Sequence, residues 1–436
     1  MQATVESSSV STATASRAAQ VQAPPGNPPQ RSFLDNLSRS RFPVAVLLFF
    51  AVSALCANLR LGQLNPTDVP FETWTSAAVK DWFRLSTPRP NIAFLGSSLM
   101  LSPLGAVDAD FLNRDIDGPS HHRSLYFEQA YKKLTGESVR TFNFALPGEM
   151  PSDACLITKF LLKGEKRPNV LVYGLGPRDF LDNGLLSPGS TDPYQTLSRF
   201  GNSNNRIALI APDWQERLNF ELGRLLHLYG RKVDLNTCFE RQVSAIAAQV
   251  VPAAPISIKQ RRQLLPGYRI TEVGVKDCWF GPSANKPRPP LLDNIDEYRK
   301  RYKNLKWDTY LTQMRFLADL LNTARERDVH VVVMAMPITD INRKLLSDQA
   351  WDLYRHSLKV MAMAKGATYI DMQSSQAFQL SDFGDTVHLH SGGGAKLLDL
   401  LAQKLAGDRA VTAALAAPSS PSLKTTTVAG LKGTSL

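Results

Sequence analysis

At 436 residues the chain exceeds one average domain and suits a single large α/β domain that carries an insertion. A hydrophobic content of 43% with 20% charged residues excludes a chain that is disordered or fibrous throughout. The formal net charge of +11 is spread along the sequence, so nucleic acid is not expected as a partner; anionic polymers, lipid head groups or plain solvation all fit such a surface.

Residues 1–41 are rich in Ser, Ala, Gln and Pro, a composition that buries too little surface to offset ordering entropy, and read as a disordered cytoplasmic tail. From Phe42 to Leu59 the sequence is uncharged and close to the roughly 17–25 residues that cross a bilayer, so 42–60 is expected to be a transmembrane anchor. Arg31, Arg39 and Arg41 precede it, which keeps the tail inside and sends the rest of the chain across the cytoplasmic membrane. A cleaved signal peptide ending near Ala57 and a buried helix are the alternatives.

The first strand is expected at 91–95 and the second at 139–144, with Ser152 as the N-cap of a following helix that holds Leu156, Ile157, Phe160 and Leu161. A third strand spans 170–175. From about 181 to 300 the rhythm breaks into helical patches, such as 216–228, and Pro-rich stretches, which marks an insertion. Within it Cys278, Trp279 and Phe280 form either an aromatic platform or ordinary packing, and a Cys238–Cys278 bridge is open in an oxidising compartment. The helical spacing of Tyr310, Met314, Leu317, Leu321 and Ala324 precedes a β-branched strand at 329–336. A helix at 351–364, a strand at 368–372 and a helix with Leu397, Leu398, Leu401 and Leu405 follow, ending near Gly407. Residues 408–436 read as a second disordered tail. Alternation of short apolar runs with helices makes 61–407 an α/β domain with a parallel sheet.

Chemistry concentrates at three places. Gly96-Ser97-Ser98 follows the first strand directly, which exposes Ser98; alone, such a turn is more often a helix cap than a nucleophile. Near the other end Asp385 and His388 stand three residues apart ahead of Gly392, Gly393 and Gly394. That spacing lets the carboxylate fix the imidazole tautomer while the other ring nitrogen faces a serine hydroxyl. His390 reads as incidental. No CxxC or zinc-like spacing occurs, so neither a metal nor a cofactor is expected.

The ordered set Gly96-Ser97-Ser98, Gly148, Gly176-Pro177-Arg178-Asp179 and Asp385-Thr386-Val387-His388 resembles the blocks of the SGNH (GDSL-like) hydrolase superfamily. The resemblance implies a three-layer, flavodoxin-like sheet flanked by helices, Ser98 as nucleophile, Asp385 and His388 as its partners, and an oxyanion hole from the N–H groups of Ser98 and Gly148. Two positions depart from the family pattern. Ser97 stands where Asp usually precedes the nucleophile, and Arg178 stands where Asn usually completes the oxyanion hole. Arg178 either donates to an oxyanion or an acidic substrate, or pairs with Asp179.

With its N-terminal anchor the chain is similar to the branch containing alginate O-acetylation proteins and the D-alanine transfer protein of teichoic acids. This implies a serine esterase or O-acyltransferase outside the cytoplasmic membrane, in the periplasm. It would take an acyl donor and a polysaccharide or other cell-envelope acceptor, beside a membrane-bound O-acyltransferase. A non-catalytic polysaccharide-binding protein of the same fold and a simple exported esterase or lipase are the competing readings.

Overall fold

The computed structural model describes residues 41–62, 64–66, 73–85, 89–201, 206–250, 279–283 and 291–417. The chain divides at Leu59 into two compact units. In the first, α1 (Phe42–Asn58) is apolar on every side, with Phe42, Val44, Leu47, Leu48 and Phe50 exposed. Its 17 residues extend about 25 Å at 1.5 Å per residue, below the roughly 30 Å of a bilayer core. Among the described residues no helix is long and apolar enough to cross a membrane, so the expected 42–60 span is not met.

The second unit, from Arg60, is an α/β body. In chain order it contains α2 (Trp74–Arg84), β1 (Ile92–Gly96), α3 (Ser98–Leu112), β2 (Ile116–Asp117), α4 (Leu125–Thr135) and β3 (Thr141–Asn143). Next come α5 (Pro151–Phe160), β4 (Val170–Leu175), α6 (Arg178–Leu181), α7 (Asp192–Leu197), α8 (Ile207–Ile210), α9 (Trp214–Leu225), α10 (His227–Gly230) and α11 (Lys232–Val250). The remainder is β5 (Trp279–Phe280), α12 (Ile295–Tyr302), α13 (Trp307–Glu326), β6 (His330–Ala335), α14 (Asp340–Arg343), α15 (Asp348–Ala364), β7 (Thr368–Asp371), α16 (Ser391–Gly407) and α17 (Arg409–Ala416).

Five strands form a wholly parallel sheet in the order β3-β1-β4-β6-β7. Every residue of β1 and β4 is buried, the pattern of central strands covered on both faces, which is why these read as unbroken apolar runs. From β1 the chain steps one way to β3 and from β3 the other way to β4. Right-handed crossovers then place α3 and α5 on opposite faces. α16 packs against α3 and α4, while α13 packs against α5. The reversal of strand order beside β1 opens a crevice at the carboxyl ends of the strands, where sheets of this class present their sites.

Several expectations need correction. The N-cap of α5 is Met150 and not Ser152, because Pro151 occupies the first helical position and Asp153 accepts the Met150 N–H at 3.0 Å. The tail expected from 408 onward begins as α17, whose Val411 is fully buried and whose first turn is capped by Asp408. Trp279 and Phe280 pair with β2, and a Cβ on Gly105 would lie 2.3 Å from the Phe280 ring, so this pair is packing and not an open platform. Cys278, and with it the suggested bridge to Cys238, lies outside the described residues, as do 1–40 and 418–436.

Candidate active site

Local backbone geometry sets Ser98 at the crevice. Gly96 ends β1 with φ +146°, and a Cβ there would meet the Gly174 carbonyl oxygen at 2.7 Å and Met100 Cβ at 2.8 Å. Only glycine allows β1 to approach β4 this closely and then turn at once into α3. Ser98 is the first residue of α3, so its N–H is one of the orphan donors at the positive end of the helix.

The expected triad is assembled. Ser98 Oγ lies 2.8 Å from His388 Nε2, and His388 Nδ1 lies 2.6 Å from Asp385 Oδ2. Asp385 Oδ1 accepts the N–H groups of Val387 at 2.8 Å and His388 at 2.7 Å, which folds the loop so that acid and imidazole share one side. Burial opposes charge on Asp385, yet the His388 ring and these two N–H groups together hold its pKa below the ordinary carboxylate value. These distances suit an imidazole tautomer with its proton on Nδ1, toward the carboxylate, and a lone pair on Nε2, toward the serine.

The loop is held from two sides. Thr386, fully buried, donates its N–H (3.2 Å) and its hydroxyl to Asn294 Oδ1, and its hydroxyl accepts from Asn342 Nδ2 at 3.0 Å. The Thr386 carbonyl accepts from the N–H of Thr339 at 3.2 Å and from its hydroxyl at 2.7 Å. Leu292 N–H donates to Gly384 O at 2.8 Å. Residues 292–302, at the end of the insertion, thus form one wall of the site.

Two of the expected oxyanion donors, Gly148 and Arg178, lie side by side. Gly148 sits with φ +72° in the turn after β3, and no hydrogen bond among the described residues engages its N–H. The two terminal nitrogens of Arg178 lie 3.6 Å from the place a Gly148 Cβ would occupy. Arg178 is paired through Nε with Asp182 at 3.3 Å, not with Asp179, which leaves both terminal nitrogens directed at Gly148. Asp182 is shared with Arg301, so it stays neutralised from a second side.

Behind the donors lies a buried acidic layer. Glu149, Asp153 and Asp179 are at most 2% exposed. Burial pushes Asp179 up to about 6 against the pull of Arg178 and the Gly176 N–H. The Ser97 hydroxyl also lowers Asp179, although neither Ser97 Oγ nor Asp179 Oδ1 completes a hydrogen bond. Burial likewise pushes Asp153 up to about 7 despite hydrogen bonds from Thr191 and Met150. Tyr298 is buried in the wall with Arg301 over its ring at 5.7 Å, and its hydroxyl is pushed up by burial.

Of the residues expected from the sequence, the structure joins Ser98, His388 and Asp385 by hydrogen bonds and sets Arg178 beside Gly148. Sequence reasoning missed Glu149, Asn294 and Asp182. A lone acid between a Pro-Gly turn and an apolar helix was the available signal for Glu149, whereas nothing near Asn294 marks it. His390 caps α16 through Nδ1, which accepts from Gly392 N–H at 2.9 Å, while Nε2 donates to Ser381 O. No protein-family model and no curated protein matches this chain.

Proposed function

We propose that the chain is a serine-dependent acyl-transfer enzyme of SGNH type, with Ser98 as nucleophile. The observation that carries the reading is the continuous line from Asp385 through His388 to the Ser98 hydroxyl, at 2.6 Å and 2.8 Å. In this mechanism His388 Nε2 takes the Ser98 proton as Oγ attacks an ester or thioester carbonyl carbon. The carbonyl oxygen becomes an oxyanion facing the N–H groups of Ser98 and Gly148 and the Arg178 guanidinium. His388 then protonates the leaving group, and an acyl-Ser98 ester remains. A hydroxyl acceptor or water, deprotonated by His388, attacks that ester and frees the serine.

The acceptor class belongs to the same proposal. An extracytoplasmic polysaccharide or other envelope polymer, a membrane-bound O-acyltransferase as supplier and a periplasmic placement rest on the sequence resemblance. Attachment to a membrane rests on α1, which is apolar on every side and leaves Phe42, Leu47, Leu48 and Phe50 exposed. A polymer-binding protein without turnover has no need of an acid, an imidazole and a hydroxyl in line, which weighs against that alternative.

Labelling with a fluorophosphonate tests the reading, because displacement of fluoride by Ser98 requires the same base and the same hole. The wild type should label and Ser98→Ala should not. Equal labelling of both proteins rejects the nucleophile, and a silent wild type rejects the enzyme reading. Release of p-nitrophenol from p-nitrophenyl acetate, with and without a polysaccharide hydroxyl acceptor, separates transfer from hydrolysis.

A further inference from the structure

We infer that Glu149 is the positioning residue of the oxyanion hole, tying the end of β1, just ahead of Ser98, to the turn that carries Gly148. The inference deepens the acyl-transfer reading and rests on it. Three hydrogen bonds close a ring. Gly96 N–H donates to Glu149 Oε1 at 3.0 Å, Leu146 N–H donates to Gly96 O at 2.9 Å, and Glu149 N–H donates to Leu146 O at 3.1 Å. Gly96 lies two residues before Ser98, and Gly148 immediately precedes Glu149. The ring therefore ties the backbone leading into Ser98 to the turn that holds Gly148.

The side chain is 2% exposed, and its second oxygen, Oε2, makes no hydrogen bond. The titratable groups that face it are Asp153 from α5, Asp179 from α6 and Tyr173 from β4. Burial, and then the neighbouring Asp153, raise the Glu149 pKa well above the usual carboxylate value. A neutral carboxyl accepts the Gly96 N–H through its carbonyl oxygen, as the amide of glutamine would. Aspartate, one methylene shorter, would not span the same gap. A donor misplaced by a fraction of an ångström is aimed at the ground-state carbonyl and not at the oxyanion, so the loss should appear in turnover more than in substrate binding.

Glu149→Gln, Glu149→Asp and Glu149→Ala separate these statements. In Glu149→Ala and Glu149→Asp, fluorophosphonate labelling of Ser98 and kcat on p-nitrophenyl acetate should fall about 10- to 100-fold with KM within about threefold. Glu149→Gln should keep both rates within about threefold of wild type. Hydrogen exchange at the Gly96 amide should speed up in the first two variants and not in the third. Wild-type labelling in Glu149→Ala, or a Glu149→Gln as impaired as Glu149→Asp, overturns the inference. If Glu149→Ala does not fold, the Asp and Gln variants decide between them. A wild type that never labels defeats the acyl-transfer reading instead; the ring is then judged by amide exchange alone, and unchanged exchange in Glu149→Asp refutes it.

Discussion

Asn294 and Thr386 are joined by two hydrogen bonds to a single oxygen: Asn294 Oδ1 accepts both the backbone N–H and the hydroxyl of a residue flanked by Asp385 and Val387. The insertion thus ends by holding the base loop. Asn294→Ala leaves two buried donors short of an acceptor, at about 1–3 kcal/mol of stability. It should also lower kcat on p-nitrophenyl acetate roughly tenfold by loosening His388. Denaturant unfolding and steady-state kinetics on the same samples check both numbers; unchanged kcat would show that Asn342 and Thr339 alone hold the loop.

Asp385→Asn keeps the shape of the loop but offers His388 Nδ1 an amide, which favours the wrong tautomer. Ester turnover should fall about 10³- to 10⁴-fold with little change in melting temperature. A loss under tenfold would mean that the imidazole is oriented without the carboxylate.

Arg178→Ala removes the guanidinium beside Gly148 while Asp182 keeps its ion pair with Arg301. Stability should change by about 1 kcal/mol, since the buried Asp182 keeps a second arginine. Turnover should drop about 10²-fold, the usual scale for one oxyanion donor. Arg178→Lys should recover little of it, since a single ammonium does not reproduce the fork. If stability falls and turnover does not, the arginine serves the ion pair only.

The acidic layer predicts a pH effect on stability whose sign follows from proton uptake. Between about pH 4 and 7 the unfolded chain has released the Asp153 proton, whereas the folded protein, with that carboxyl pushed up to about 7, retains it. Stability contributed by the protonated form is therefore lost as pH rises. Asp153→Asn removes this dependence. Relative to wild type, the variant should gain roughly 2–4 kcal/mol between pH 4 and pH 8. Parallel unfolding curves for the two proteins across that range would mean that Asp153 is ionised in the fold.

Much of this was legible in one dimension. β1, β4 and β6 are runs of Ile, Val, Leu, Phe and Met buried on both faces, and their positions follow from composition alone. The buried stripe of α13, from Tyr310 to Ala324, has the helical spacing expected of it. Ser98 was readable because it follows a strand directly, and Asp385 and His388 because they stand three residues apart just ahead of a helix. The N-cap of α5 was not, since Pro151 overrides the serine that follows it. α17 was hidden in a tail of Ala, Thr and Ser, where, among the described residues, only Val411 gains full burial. Asn294 and Glu149 work through partners 92 and 53 residues away, and no local periodicity encodes such a contact.

Ser98 opens α3, and His388 stands three residues ahead of α16, which lies against α3 so closely that Gly394 has no room for a Cβ beside Val107 and Pro103. The packing of α16 on α3 thus keeps the His388 loop within reach of Ser98. If Ser98 is the nucleophile proposed above, heat or denaturant that pries α16 from α3 should silence it even while the strands stay paired. A covalent serine probe becomes, in this protein, a gauge of whether the last third of the chain is docked.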